Sequence, residues 1–241
     1  IKMALQRSLL TSTYSDLTEC NVFFVCIPTG IDENKLPELE PLKNVCKSLG
    51  EILKRGDIVI FESTVFPGAT EELCIPILEK YSMMKVNEDF SVGYSPERIN
   101  VGDDCHRIVS TPKIISASNI ESLNVMRDIY STILDAPVIE ASSIKIAETA
   151  KMYENVQRDV LIALANEYAD FCKSEGININ EVTECAASKW NFAKVYPGLV
   201  GGHCIGVDTY YLMKRAKDKK QSLNLVQTPH HSTAYPQYLC F

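Results

Sequence analysis

Along the first two thirds of the chain, short runs of apolar, β-branched residues alternate with stretches that are apolar on one side only. NVFFVCIP (21–28) and DIVIFEST (57–64) have the length and composition of buried strands. Between them, ELEPLKNVCKSLGEILKRG repeats its apolar positions at helical spacing and meets a stop at Gly56. TEELCIPILEKY reads as helical despite Pro76, FSVGYSPE (90–97) as a strand and its exit, and KIISAS as a strand ahead of the helix NIESLNVMRDIYSTIL. Strands and helices joined by short connections predict an α/β domain, a parallel sheet covered by helices on both faces. Ligands of such sheets bind outside the carboxyl ends of the strands. Three of those ends carry PTG (28–30), STVFPG (63–68) and SPERIN (95–100).

From Ser142 the pattern changes. Ile146, Ala150, Tyr153, Val160, Leu164, Tyr168 and Phe171 recur at helical spacing behind a serine cap and ahead of Gly176. They predict one helix of about 30 residues, about 45 Å long. A helix of that length commonly forms the spine of a second domain or a dimer interface. A further amphipathic segment, INEVTECAASKW (179–190), precedes the glycine-rich stretch PGLVGGHCIGVD (197–208).

Composition narrows the setting. The chain has 241 residues, 46% of them hydrophobic, which is enough for a sizeable core. A net charge of -7 without any basic run argues against nucleic acid as a partner. No apolar stretch reaches the roughly 20 residues needed to cross a bilayer, and no signal-type apolar core precedes Thr11, so the expected location is cytoplasmic. Nine cysteines at irregular spacing, without a CxxC pair, outline neither a disulfide framework nor a zinc site. The four histidines form no spaced ligand pair, so no metal is expected. Cys26 and Cys172 read as small buried hydrophobes.

Both ends are unusual. No G-x-G-x-x-G followed by an acidic partner occurs among the eleven glycines, so the chain reads as beginning inside a fold. The stretch 221–241 holds none of the 24 basic or 31 acidic residues and lacks helical or strand periodicity. An altered reading frame or a premature end is the expectation for it.

Cys204 follows two glycines and His203 and precedes Asp208 by four residues. It can be a buried filler, because cysteine is among the most buried residue types, or a nucleophile. If a helix begins there, its dipole lowers the thiol pKa and Asp208 lies one turn away on the same face. A Cys/His hydrolase pair is disfavoured, because adjacent side chains diverge and a base must reach its nucleophile. Lys151 and Asn155 are four apart and share a helix face. They can be a solvated stripe that Glu148 and Arg158 continue, with Glu148 pairing Lys151, or a fixed cation and amide facing an oxyanion.

STVFPGATEE, GYSPERIN, AETAKMYENVQRD, KWNF and PGLVGGHCIGVDTYYL, in this order, resemble the UDP-glucose/GDP-mannose dehydrogenases, nearest to the branch that oxidises UDP-N-acetylhexosamines for surface polysaccharides of the Vi type. The resemblance runs from about Leu10 to Lys217. It implies a partial Rossmann-like NAD-binding domain (1–141) without its glycine-rich loop, a central helical dimerisation domain with the cysteine loop (142–217), and an atypical tail (218–241). It implies NAD as cofactor, a UDP-sugar such as UDP-N-acetylglucosamine as substrate, a homodimer through the long helix, and oxidation of the primary alcohol to a carboxylate with removal of four electrons. Taking an alcohol past the aldehyde needs a thiol that adds to it, giving a thiohemiacetal and then a thioester.

By the resemblance, Cys204 is that nucleophile and Asp208 positions or activates the hydrolytic water. Lys151 and Asn155 stabilise oxyanion character on the sugar oxygen. Thr64 and Glu97 touch substrate, water and cofactor, with Glu97 a base if burial raises its pKa, and Thr29 touches the cofactor. Three departures stand out: Val101 occupies the place of a second glutamate in glucose-oxidising members, and Gly30 and Thr209 replace prolines. Without the glycine-rich loop and a C-terminal nucleotide-sugar domain, the expectation is a truncated and impaired chain. Two other readings remain open at this level: a non-catalytic dimerising remnant, and a hydroxyacid dehydrogenase that uses the Lys/Asn pair without a thiol.

Overall fold

The computed structural model describes residues 10–99, 107–199 and 205–231. The chain divides into two compact units, one of 1–29 with 38–149 and one of 30–37 with 150–241.

The first unit is built on a five-stranded sheet. β1 (Val22–Val25), β4 (Ile58–Phe61), β5 (Ser91–Tyr94), β6 (Lys113–Ala117) and β7 (Val138–Glu140) lie side by side in chain order. β2 (Gly30–Ile31) and β3 (Pro37–Glu38) form a separate small hairpin. β1, β4 and β5 are parallel, with Val22 opposite Ile58 and Ile58 opposite Ser91. β6 runs antiparallel to β5 before pairing in parallel with β7, so the expected all-parallel sheet is a mixed one. The β5–β6 connection contains no long helix in its described residues, and antiparallel neighbours need no crossover helix. The hairpin and β7 went unpredicted because two or three residues are too few to display a period.

α1 (Glu40–Gly50) ends earlier than the apolar spacing indicates. Its continuation is diverted at Asp57, whose buried carboxylate accepts from the Lys54 backbone N–H at 2.9 Å, a donor that a longer helix would need. α2 begins with a wide π turn (Thr70–Cys74) and continues as α-helix (Ile75–Ser82). Ile75 N–H reaches back to the Thr70 carbonyl, and this widening accommodates Pro76, which has no N–H to give. α3 (Ile120–Ile133) is capped by Asn119, whose side chain accepts from Ser122 N at 2.9 Å. Ile58, Ile60, Ile115, Met126 and Tyr130 pack together as core between the sheet and α3.

α4 (Ile144–Glu175) is the predicted long helix, 32 residues in length. Ser143 Oγ accepts from Ile146 N at 3.2 Å at its start. Gly176 ends it at φ +71°, a left-handed conformation in which Ile177 N reaches the Cys172 carbonyl. Its residues from Ala150 onward belong to the second unit, with α5 (Ile179–Ala186), α6 (Ile205–Asp218) and α7 (Asn224–His231). α7 lies inside the stretch that lacked visible periodicity. No helix of the described residues is long and apolar enough to cross a membrane.

Candidate functional site

At 100° per residue, α4 has two opposite faces. The residues whose spacing predicted the helix lie on the exposed one: Ile146 is 51% exposed, Tyr153 69%, Leu164 57% and Phe171 51%. Glu148, Lys151, Asn155 and Asp159 lie on the other and are buried. The solvated-stripe alternative is therefore overturned for Glu148, Lys151 and Asn155, and only Arg158 of the proposed stripe is exposed. Nor does Glu148 turn to Lys151: its carboxylate accepts from the backbone N–H groups of Gly68 and Thr70, at the start of α2. Burial pushes the Glu148 carboxyl up to about 7 even though those two bonds favour its charge.

In the second unit, Lys151, Asn155 and Asp208 come together. The Asn155 amide donates to the Asp208 carboxylate, and both residues are buried. Asp208 sits in the first turn of α6, which begins at Ile205, so the helix start that the sequence reading makes a condition is present. Burial pushes the Asp208 carboxyl up to about 6, with the Asn155 bond and the charge of Lys151 acting against the rise. Beside it, the buried Thr209 hydroxyl donates to Asp159 at 3.1 Å. Cys204, His203 and Val101 lie outside the described residues.

The first unit holds the other candidates. Because β1, β4 and β5 are parallel neighbours, their three exits lie along one edge of the sheet. Thr29 Oγ1 donates to the Thr64 carbonyl at 2.8 Å, joining two of these exits. Glu97, on the third, is exposed, and its carboxylate accepts from its neighbours' N–H groups, Arg98 at 2.7 Å and Ile99 at 2.6 Å. The burial on which a base role was conditional is absent. Cys172 is buried as expected, but Cys26 is exposed, because it lies one residue beyond the end of β1.

Sequence reasoning passed over Asp159, and over Glu62, Lys113 and Tyr130 at the sheet edge. Asp159 had a visible signal: Glu148, Lys151, Asn155 and Asp159 recur at intervals of three and four opposite the apolar stripe. The other three are brought together by strand pairing and left none.

The family model described as the UDP-glucose/GDP-mannose dehydrogenase family NAD binding domain matches residues 1–134, and that of the family's central domain matches residues 145–233. The chain belongs to the UDP-glucose/GDP-mannose dehydrogenase family. It is 54% identical over 214 residues to a UDP-N-acetyl-D-glucosamine 6-dehydrogenase of Pseudomonas aeruginosa, covering 88% of this chain and 51% of that protein. It is 48% identical over 207 residues to a Salmonella typhi protein of the same name, covering 86% and 49%. Among solved structures, the UDP-D-ManNAc dehydrogenase of Pyrococcus horikoshii superposes with a TM-score of 0.86 at 31% identity, covering 94% of this chain and 53% of that one. The chain thus spans about half the length of the curated relatives it matches. The central-domain match extends through α7, so part of the tail that looked foreign belongs to the family pattern.

For this family NAD is the implied cofactor. The described residues fit it in part. The exits of β1, β4 and β5 provide the sheet edge on which such a ligand lies, whereas the glycine-rich loop that would cradle its pyrophosphate does not occur in the 241 residues.

Proposed function

We propose that this chain carries catalytic machinery of an NAD-dependent UDP-N-acetylhexosamine 6-dehydrogenase, acting on UDP-N-acetylglucosamine or an epimer. The observation that carries the reading is the buried group of Lys151, Asn155 and Asp208. Desolvation of a cation, an amide and a carboxylate is costly unless they serve one another or a ligand. A fixed cation and amide, kept from water, suit an oxygen that gains negative charge during reaction.

NAD, when bound, accepts the hydride in each of two oxidations. In the first, the C6 alcohol loses a hydride and a proton, and Lys151 and Asn155 stabilise its oxygen as the proton leaves. The Cys204 thiol then adds to the aldehyde carbon, its proton passing to the oxygen, to give a thiohemiacetal. Loss of a second hydride and a proton leaves a thioester. Water adds to the thioester carbonyl and the C–S bond breaks, which releases the carboxylate and restores the thiol. Asp208, with its carboxyl raised to about 6, is placed to hold or accept the proton of that water. Thr29, Thr64 and Glu97, in the first unit, are the residues this reading assigns to the cofactor. The same reading makes the partner a second copy of the chain, paired along the exposed stripe of α4, and the location cytoplasmic.

The test is NADH formation when the purified chain is mixed with NAD and UDP-N-acetylglucosamine. Two NADH per sugar, abolished in Cys204→Ser, are expected. Turnover that is indifferent to Cys204→Ser would sink the thioester route.

A further inference from the structure

At the edge where β1, β4 and β5 end, the first unit contains a group of polar side chains to which neither the resemblance nor the proposed reaction gives a role. Lys113, the first residue of β6, is 7% exposed. Its ammonium lies 3.2 Å from a Glu62 carboxylate oxygen, donates to the Pro96 carbonyl at 3.2 Å, and stands 5.3 Å from the centre of the Tyr130 ring. Glu62 also accepts from the Tyr130 hydroxyl and from the Cys26 thiol, the latter at 3.4 Å. Burial and the neighbouring Glu62 carboxylate both push the tyrosine and cysteine pKa values up, the cysteine to about 11, so both remain neutral donors near neutral pH.

Apart from Tyr130 on α3, each of these partners falls on a strand exit. Cys26 follows β1, Glu62 follows β4 and Pro96 lies two residues after β5. Glu62 is two residues before Thr64, and Pro96 is one before Glu97. The β5 exit has further ties to the start of β6, with Ser95 Oγ donating to the Ile114 carbonyl at 2.8 Å and Arg98 to the Pro112 carbonyl at 2.7 Å.

We infer that Lys113 and Glu62 are positioning residues, an ion pair with a buried lysine and a partly buried glutamate that fixes the β4 and β5 exits and so sets where Thr64 and Glu97 stand. Stability alone does not account for the pair, because well-packed apolar residues of similar volume commonly replace an ion pair withdrawn from water without loss. An apolar pair cannot hold the Pro96 carbonyl or accept from Tyr130. A cation with fixed partners on two loops confers direction, which dispersion contacts do not. The catalytic consequence rests on the dehydrogenase reading; the geometric one does not.

The experiment compares the parent 241-residue chain with Lys113→Met/Glu62→Leu and with Lys113→Arg, using peptide-resolved hydrogen exchange, thermal melting and the NADH assay. The double variant is expected to melt within about 5 °C of the parent. Its exchange over residues 95–99 should be ~10-fold faster, the size expected for one lost hydrogen bond. Lys113→Arg, which keeps the charge, should return exchange to within about twofold of the parent. Where the parent turns over, kcat should fall ~10- to 100-fold in the double variant, the scale of a small misplacement of reacting groups. Unchanged exchange over 95–99 in the double variant overturns the inference, and so does equal loss in Lys113→Arg. A parent that makes no NADH counts against the dehydrogenase reading alone, since exchange reads the positioning independently.

Discussion

Asp208 shows how one residue's surroundings set its chemistry. At 2% exposure its carboxyl is raised from 3.8 to about 6, chiefly by burial. A carboxyl raised by folding favours the protonated native state. That contribution is complete below pH 3.8 and is lost as the pH climbs through about 6. The rise corresponds to about 3 kcal/mol. Asp208→Asn keeps the size and removes the charge, so it should match the parent near pH 3.5 and exceed it by up to about 3 kcal/mol at pH 8. Denaturant titrations at the two pH values check this, and a gap that does not change with pH would refute it. The spacing of Lys151 and Asn155 was legible in the sequence, but their burial was not. On an isolated helix a polar face belongs in water, and it is packing against other elements, such as α6 bringing Asp208 to Asn155, that makes that face an interior one.

At the scale of elements, Gly93 lies in β5 where α3 crosses it. A Cβ there would stand 2.3 Å from Met126 Sδ and 3.2 Å from the Ser116 carbonyl. The methionine can yield in part, but the backbone carbonyl cannot, so the site has no room for a methyl group. Gly93→Ala should lower stability by about 1–3 kcal/mol through overpacking. A denaturation midpoint equal to the parent's would refute it. Strands β1, β4 to β6 and helices α1 to α5 each carried a signal in the sequence, with ends shifted where an interaction outweighed the period. α1 shows this: its apolar spacing continues to Leu53, but capture of the Lys54 N–H by Asp57 ends it. The direction of β6 had no such signal, because an antiparallel strand displays the same run of apolar residues as a parallel one.

At the scale of the whole molecule, the exposed stripe of α4 is the feature on which the proposed pairing rests. Leu164, Tyr168 and Phe171, each about half exposed, continue along one face, and Tyr168 and Phe171 lie 5.7 Å apart between ring centres. On the proposed reading, this stripe is where a second copy pairs. Leu164→Glu/Tyr168→Glu should convert a dimer to monomer in sedimentation equilibrium with little change in the circular dichroism of the chain; a parent that is monomeric at tens of micromolar would sink the pairing. The sequence by itself determined the α/β architecture, the long helix, the family and the residue types of the candidate site, because these depend on local period and on short motifs in a fixed order. Tertiary structure alone decided which face of α4 is interior, that β6 turns against its neighbours, and that Glu62, Lys113 and Tyr130 meet at the sheet edge. Burial and contact between residues distant in the chain are set by what packs against them, and periodicity along a single strand or helix does not encode that.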